Sequence, residues 1–474
     1  MKEEKKLSLP ASLLIFLSVL SIIIIGMKAG FGAQMSIFMA SLVAIIFSFI
    51  FKTQWKDIQN EFEENAKGIN NPVIIILLVG VLVGMWLAGG GIQSLIYYGL
   101  KFVSPAVIVP LTFLLCSLTS IFTGSSYSSI ATMGLAMLGV AINLGISEPL
   151  IVGAIVSGSF LGDKMSPMSD TTNLAPAMAG TNLYSHIGSM MYTTVPAAII
   201  CLVLYSLLGI NHAKGGTFDS SAIQTIMEAL DSNYNISILC LIPLVLLLVL
   251  SALKIPAILA MGITAGVSVV CGLLLQPDAN LMLILGSAMN GFKSETGVEF
   301  VDKLLTRGGV VSMIGAVASM YFASLMAAAL KASGAIDTLM SILLKGIKSS
   351  AALIITTLGY CYAMLLATGA QMLGIIVPGK TMGTMYDKFN LDRKVLSRCL
   401  EDASTIGAAL VPWANPSIYL MSVLGVGTGY IPYSFLCWIV PIFSIICALT
   451  KIGTRDSNGN PLWGKKNEKL FEEH

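Results

Sequence analysis

The sequence predicts an all-α polytopic membrane protein, and three observations carry that reading. Hydrophobic residues make up 55% of the 474 and charged residues only 11%, where soluble domains carry about 25% charged residues. Mean hydropathy is +0.84. Apolar segments long enough to cross the hydrocarbon core, about 20 residues each, recur from one end of the chain to the other. The 27 basic and 25 acidic side chains are too few to clothe a soluble protein of this length. A disordered chain is excluded by the same balance, since the net charge is only +2 on a strongly apolar background. No basic face exists to meet a nucleic acid.

Taken in order, the first element follows MKEEKKLSLP and begins the apolar run from Ala11 to Ile25. It lacks a small-x-small cleavage site and leads straight into a second apolar segment, so it is expected to stay as the first membrane helix. Apolar segments lie near 9–27, 32–51, 71–90, 104–142, 149–178, 185–209, 235–251, 256–275, 308–330, 351–386, 395–417 and 432–450. Two of them, 104–142 and 351–386, exceed one span and are broken by glycine. Each is expected to be a re-entrant hairpin or a pair of short helices. With the N-terminus inside and both long segments re-entrant, 19 of the 27 basic residues fall in inside loops and six in outside loops. Lys164 and Lys380 are left within membrane segments. Basic residues favour the cytoplasmic side, so the expectation is about ten crossings plus two re-entrant or broken-helix hairpins, with both termini cytoplasmic. The eight cysteines sit mostly in apolar runs without a CxxC pair and read as small buried hydrophobes.

The two halves share a layout. Each has two helices, then an acidic stretch expected at the interface (55–70 and 292–309), a helix, a glycine-broken segment, a helix interrupted near an Asp, and a closing helix. Thr123-Gly124-Ser125-Ser126 corresponds to Thr368-Gly369-Ala370-Gln371, and Gly162-Asp163 to Glu401-Asp402. Five crossings per half would set the halves in opposite orientations. Inverted repeats with broken helices are the plan of many secondary transporters, with the site where the repeats meet. The expected division is a first membrane repeat at 1–210, an extracytoplasmic connecting loop at 211–234, a second, inverted repeat at 235–450, and a cytoplasmic tail at 451–474.

Ionisable residues at membrane depth are costly and point to function. Between 71 and 210 only Lys101, Glu148, Asp163, Lys164 and Asp170 are charged, and three of these fall within GDKMSPMSDTTNLAP at 162–176. Pro167 and Pro176 interrupt the helix and free backbone carbonyls. Ser166, Ser169, Thr171, Thr172 and Asn173 add oxygens beside Asp163 and Asp170, and a hard cation such as Na⁺ seeks an oxygen shell. Thr123, Ser125 and Ser126 break the preceding apolar segment at Gly124. This turn reads as further cation ligands or as a seat for a substrate carboxylate at a half-helix N-terminus. In the second half Gln371, Asp402 and Asn415 take the corresponding places. Asp402 is open as a second ion or proton site, or as the partner of Lys380 or Arg398. Lys164 is expected to act as charge partner in the cluster. A site that holds Na⁺ or H⁺, but not both, exchanges them, and Asp163 or Asp170 is the expected carrier. His186 is expected to be a satisfied interfacial histidine, with a proton relay as the alternative. No Arg is assigned to a membrane segment, which disfavours a bidentate carboxylate clamp.

The runs GSSYSSIATMG, GDKMSPMSDTTNLAPAMAGTN and LEDASTIGAALVPW resemble the NhaC family of Na⁺/H⁺ antiporters, and the resemblance spans essentially the whole chain. It implies a bacterial inner-membrane protein that expels Na⁺ in exchange for entering H⁺, with ion-site roles at Asp163, Ser166, Asp170, Thr172 and Asn173. It also implies an alternative, since the family looks to include exchangers coupling Na⁺ and H⁺ to malate or lactate. No cofactor is expected beyond the transported ions. The expected partners are Na⁺, H⁺ and the lipid bilayer, with a small carboxylate and a homodimer as open options. A channel is disfavoured because GVGTGY at 425–430 lacks a pore helix. An enzyme is disfavoured because there is no HExxH and LGDK lacks the GxGD spacing of an intramembrane aspartyl protease.

Overall fold

A computed structural model describes residues 7–102, 104–167, 169–215, 220–253, 255–343 and 347–462. Among the basic residues counted above, Lys2, Lys5, Lys6, Lys254, Lys345, Lys465, Lys466 and Lys469 lie outside the described residues, as does His474. The described chain is helical, with only two isolated β-bridges and no strand.

The first half comprises α1 (Leu9–Lys28), α2 (Gly32–Ile50), α3 (Trp55–Ala88), α4 (Gly91–Phe102), α5 (Pro105–Thr123), α6 (Ser126–Ser129), α7 (Leu135–Asn143), α8 (Glu148–Met165), α9 (Asp170–Ala179) and α10 (Leu183–Gly215). There follow α11 (Ser220–Asn233), α12 (Ile242–Ala252), α13 (Ala257–Leu275), α14 (Leu281–Asn290), α15 (Glu299–Leu305) and α16 (Val310–Ala332). The last six are α17 (Ala335–Leu343), α18 (Ser350–Thr368), α19 (Gln371–Lys388), α20 (Arg393–Leu400), α21 (Asn415–Leu424) and α22 (Phe435–Thr450). Six of the described helices are long and apolar enough to cross a membrane, or eight if each of two bent pairs forms one span.

The surface confirms the solvent that composition predicts. Ile199, Val203 and Leu207 stand exposed along α10, and Leu14, Leu17, Ile24 and Ile25 along α1. Such apolar stripes on the outside, with charged groups inside, fit a chain whose surroundings are lipid.

The packing mixes the halves. Helices α1–α3 pack with α13, α14 and α16, while α5 and α8–α10 pack with α18–α20 and α22. Between these two groups, α16 meets α21 beside a cleft of about 930 Å³. Phe31, Phe38 and Phe322 line it with Gln34 and Ser319, and no charged residue does.

Both long apolar segments break at glycine. Helices α5 and α18 each span 19 residues and end at a left-handed glycine, Gly124 at φ 67° and Gly369 at φ 64°, a conformation that a side chain disfavours. Two expectations need correction. The acidic stretch 55–70 is not separate from the helix that follows it; it is the opening of the continuous 34-residue α3. Residues 211–234 do not form a plain loop, because α10 runs into them and α11 occupies most of the rest. The start of the 451–474 segment is tied down. The backbone N–H of Asp392 donates to Arg455 and that of Ser457 to Asn390, tying residues 455–457 to the α19–α20 turn.

Candidate ion-binding site

The site begins with an interrupted helix. Helix α8 ends at Met165, Ser166 and Ser169 are extended, and α9 starts at Asp170. Pro167 lies in this gap and has no N–H to continue the helix. Two glycines press α8 onto α5: a Cβ at Gly158 would lie 2.4 Å from the Phe113 carbonyl oxygen, and one at Gly162 2.4 Å from that of Ser117. This small-xxx-small spacing lets backbones approach closely, and it brings Asp163 to the serine-rich turn at the end of α5.

There Ser126 Oγ donates to Asp163 Oδ2 at 2.6 Å, and Ser169 Oγ donates to Oδ1 at 2.5 Å. Asp163 is only 6% exposed. Ser169 occupies the N-cap of α9, yet makes no capping bond there; its hydroxyl serves Asp163 instead of the helix N–H groups it would ordinarily satisfy. Thr172 Oγ1 donates to the carbonyls of both Asp163 and Lys164 at 3.0 Å, which holds α9 against the end of α8. Ser126 opens α6, which passes into a π-helical turn at Ile130–Gly134. A second π-helical turn, Glu401–Thr405, follows α20. Such turns recur at functional sites.

Lys164 does not neutralise its neighbour. Its Nζ reaches across to Asp402 Oδ1, with both side chains fully buried. Thr193 Oγ1 donates to the same oxygen at 3.1 Å. The partner of Asp402 is therefore Lys164, and neither Lys380, which is exposed, nor Arg398. Packing of α8 and α9 against the Glu401–Thr405 turn creates this pairing between residues far apart in sequence. Arg398 is itself fully buried, contrary to its assignment to a loop. Its Nη1 donates to the Gly453 carbonyl at 3.0 Å, whereas Nε and Nη2 have no partner among the described residues.

The remaining expected residues serve the scaffold of the turn or stand near it. Ser166 Oγ donates to the Ile121 carbonyl at 2.7 Å. Asn173 is exposed and donates to the carbonyls of Pro167 and Ser169. Asp170 is exposed at the start of α9, within electrostatic reach of Asp163. Thr123 Oγ1 donates to the Ser125 carbonyl, and Ser125 Oγ accepts from the Ser128 N–H, so both shape the turn. In the second half Gln371 is buried, with Nε2 unpartnered among the described residues. The Asn415 backbone N–H donates to the Gly369 carbonyl at 2.9 Å, joining the two breaks of that half. His186 is fully buried and only half satisfied: Nδ1 lies 2.6 Å from Ser397 Oγ, and Nε2 has no partner among the described residues.

The sequence profile of the Na⁺/H⁺ antiporter family matches residues 4–163 and 158–452. The chain belongs to that family. Over 454 residues it is 34% identical to the Na⁺/H⁺ antiporter NhaC of Alkalihalophilus pseudofirmus, covering 95% of this chain and 97% of the relative. It is 32% identical to the malate-2H⁺/Na⁺-lactate antiporter of Bacillus subtilis, covering 93% and 92%. Identity is also 32% to the arginine/ornithine antiporter ArcD of Halobacterium salinarum, covering 84% of each chain. The relatives are transporters, and this chain is not an enzyme.

Within this antiporter the tertiary structure adds two groups that the sequence reading did not place in the site, Thr193 and Glu401, and gives Ser169, Thr171 and His186 their partners. One signal for Glu401 was available, because Glu401 and Asp402 are the last charged residues before Lys451. No sequence pattern indicates which hydroxyls reach the carboxylates.

Proposed function

We propose that this chain is a secondary active transporter that exchanges Na⁺ for H⁺ across the bacterial cell membrane by alternating access. One observation carries the reading. Among the described residues the buried carboxylate of Asp163 is held by neutral donors, the hydroxyls of Ser126 and Ser169 and the Ser126 backbone N–H, while the lysine next to it is engaged by Asp402. An ionised carboxylate without an opposing charge is costly in a dry interior. A monovalent cation or a proton offsets that cost, and the two compete for the same oxygens. Na⁺ finds hydroxyl and carbonyl oxygens at the turn, as hard cations require. Arrival of one ion from one side therefore displaces the other, which is exchange.

The glycine breaks after α5 and α18 support an inverted repeat, with 1–210 and 235–450 as its two membrane units, 211–234 as the connection and 451–474 as the tail. In this reading there are about ten crossings and two broken hairpins, both termini are cytoplasmic, and the bacterial inner membrane is the location. Motion of one helix group against the other, across the cleft beside α21, supplies the alternation. Tyr419 of α21 donates its hydroxyl to the Tyr127 carbonyl at 2.8 Å, so that motion acts on the turn bearing Ser126.

The test uses purified protein in liposomes with an internal pH dye and an acid interior. Addition of external Na⁺ is expected to collapse the gradient, and Asp163→Asn to prevent it. A second reading, a Na⁺/H⁺-coupled exchanger of malate or lactate, draws on Arg398. Its unpartnered Nε and Nη2 edge is the fork that takes a carboxylate bidentately. That reading prevails if Na⁺ alone moves no protons and either acid, loaded inside or added outside, restores the response.

A further inference from the structure

Glu401 is fully buried at the start of its π-helical turn, and neither carboxyl oxygen has a hydrogen-bond partner among the described residues. Thr405 Oγ1, on the same turn and also fully buried, is unpartnered as well. The Thr171 and Thr405 hydroxyls lie beside the Glu401 carboxyl without bonding geometry to it, and Asp163 and Lys164 are within electrostatic reach. Lys164 is committed to Asp402, so it leaves Glu401 without an ion pair. Thr171 Oγ1 is 3.1 Å from Ser169 Oγ, which in turn donates to Asp163. A path of oxygen atoms thus leads from Asp163 through Ser169 and Thr171 to Glu401, passing from the first half of the chain to the second.

Buried polar atoms are normally satisfied, and a buried carboxylate with empty oxygens on both sides needs an explanation. A bound cation supplies one, because it satisfies carboxylate and hydroxyl oxygens together. We infer that Glu401 is a direct ligand of the transported Na⁺, with the Thr171 and Thr405 hydroxyls, so that one cation is held by carboxylates from both halves, Asp163 and Glu401. The inference rests on the Na⁺/H⁺ reading above and specifies its site. Ligands split between two halves have a mechanical consequence. Relative motion of the halves changes the ligand set, so ion affinity and conformation are coupled through the same contacts.

The experiment measures equilibrium Na⁺ binding to the purified full-length protein by titration calorimetry at one alkaline pH, with thermal unfolding as the control for folding. Wild type, Asp163→Asn, Glu401→Gln, Glu401→Asp and Thr405→Val are compared, with Li⁺ as a second probe. Glu401→Gln is expected to weaken Na⁺ binding by roughly tenfold or more, the scale of losing one charge-assisted contact. Glu401→Asp, which keeps the charge and shortens the reach, is expected to retain binding and alter the Na⁺ to Li⁺ ratio. Thr405→Val is expected to weaken Na⁺ without unfolding the protein, and it decides the matter if Glu401→Gln does not fold. Wild-type affinity in Glu401→Gln, alongside loss in Asp163→Asn, overturns the role of Glu401 and leaves the Na⁺ reading standing. Absence of Na⁺ binding in the wild type overturns both.

Discussion

Lys164 and Asp402 meet across 238 positions of sequence, and both side chains are fully buried. Because Lys164 follows Asp163 directly, a reading by sequence distance pairs those two. Adjacent residues on a helix point in different directions, and the lysine at the end of α8 looks toward the second half of the chain. The pair therefore does two things: it fastens the halves to each other and leaves Asp163 with its charge unopposed.

Breaking this pair on one side strands a buried charge. Lys164→Met is expected to destabilise the protein by about 3–5 kcal/mol, the usual scale for an orphaned partner. The double variant Lys164→Met/Asp402→Leu is expected to recover most of that loss. Thermal unfolding in detergent reads both, and a double variant no more stable than the single would show that the two residues are energetically independent.

The hydroxyls on Asp163 should matter unequally from the carboxylate itself. Asp163→Asn is expected to abolish Na⁺-driven proton movement in liposomes. Ser126→Ala and Ser169→Ala each remove one hydrogen bond to a charged group, worth about 1.5–3 kcal/mol. They are expected to raise the Na⁺ concentration needed for half-maximal exchange while leaving some activity. Unchanged transport in both serine variants would remove the serine-rich turn from the site.

Gly162→Ala tests how the site is assembled. The added methyl would sit 2.4 Å from the Ser117 carbonyl oxygen and 2.5 Å from Ser120 Cβ, so α8 must move off α5. The expected cost is about 1–3 kcal/mol, typical of overpacking. Na⁺ affinity is expected to fall with it, because Asp163 follows in the chain. Calorimetric Na⁺ titration and thermal unfolding on the same sample check the two effects together.

Outside the membrane segments, acid should loosen one loop. The backbone N–H of Thr296 donates to Asp302 at 2.6 Å, joined by the hydroxyls of Ser294 and Thr296 and the N–H of Gly297. These donors hold the Asp302 carboxyl below its ordinary value of 3.8. With the folded pKa the lower one, the contribution is present above that ordinary value and fades as pH falls through the folded one. Hydrogen exchange at Thr296 and Gly297, corrected for intrinsic rates, is expected to accelerate in that acid window. Asp302→Asn is expected to show the fast rates at neutral pH.

Much of the architecture was legible from local chemistry. Glycine at 124 and 369 marks two helix ends because a left-handed turn there penalises any side chain, and Pro167 marks the gap between α8 and α9 because it cannot donate. Two features went the other way. The acidic residues at 55–70 do not stop a helix, so α3 runs through them. Arg398 reads as a loop cation beside Arg393 and Lys394, but its neighbours in space include Gly453 of the returning tail, and that fold-back buries it.

What the sequence determined by itself is the solvent and the chemistry. An apolar chain with few charges belongs in lipid, and Asp163, Lys164, Glu401 and Asp402 stand out because ionised groups are expensive there. The tertiary structure alone decided the partners. Whether Asp163 meets Lys164 or Ser126, and whether Asp402 meets Arg398 or Lys164, depends on how α8, α9 and the Glu401–Thr405 turn pack. Those contacts join residues hundreds of positions apart, and hydrogen bonds and ion pairs act only over a few ångströms of space, which sequence separation does not encode.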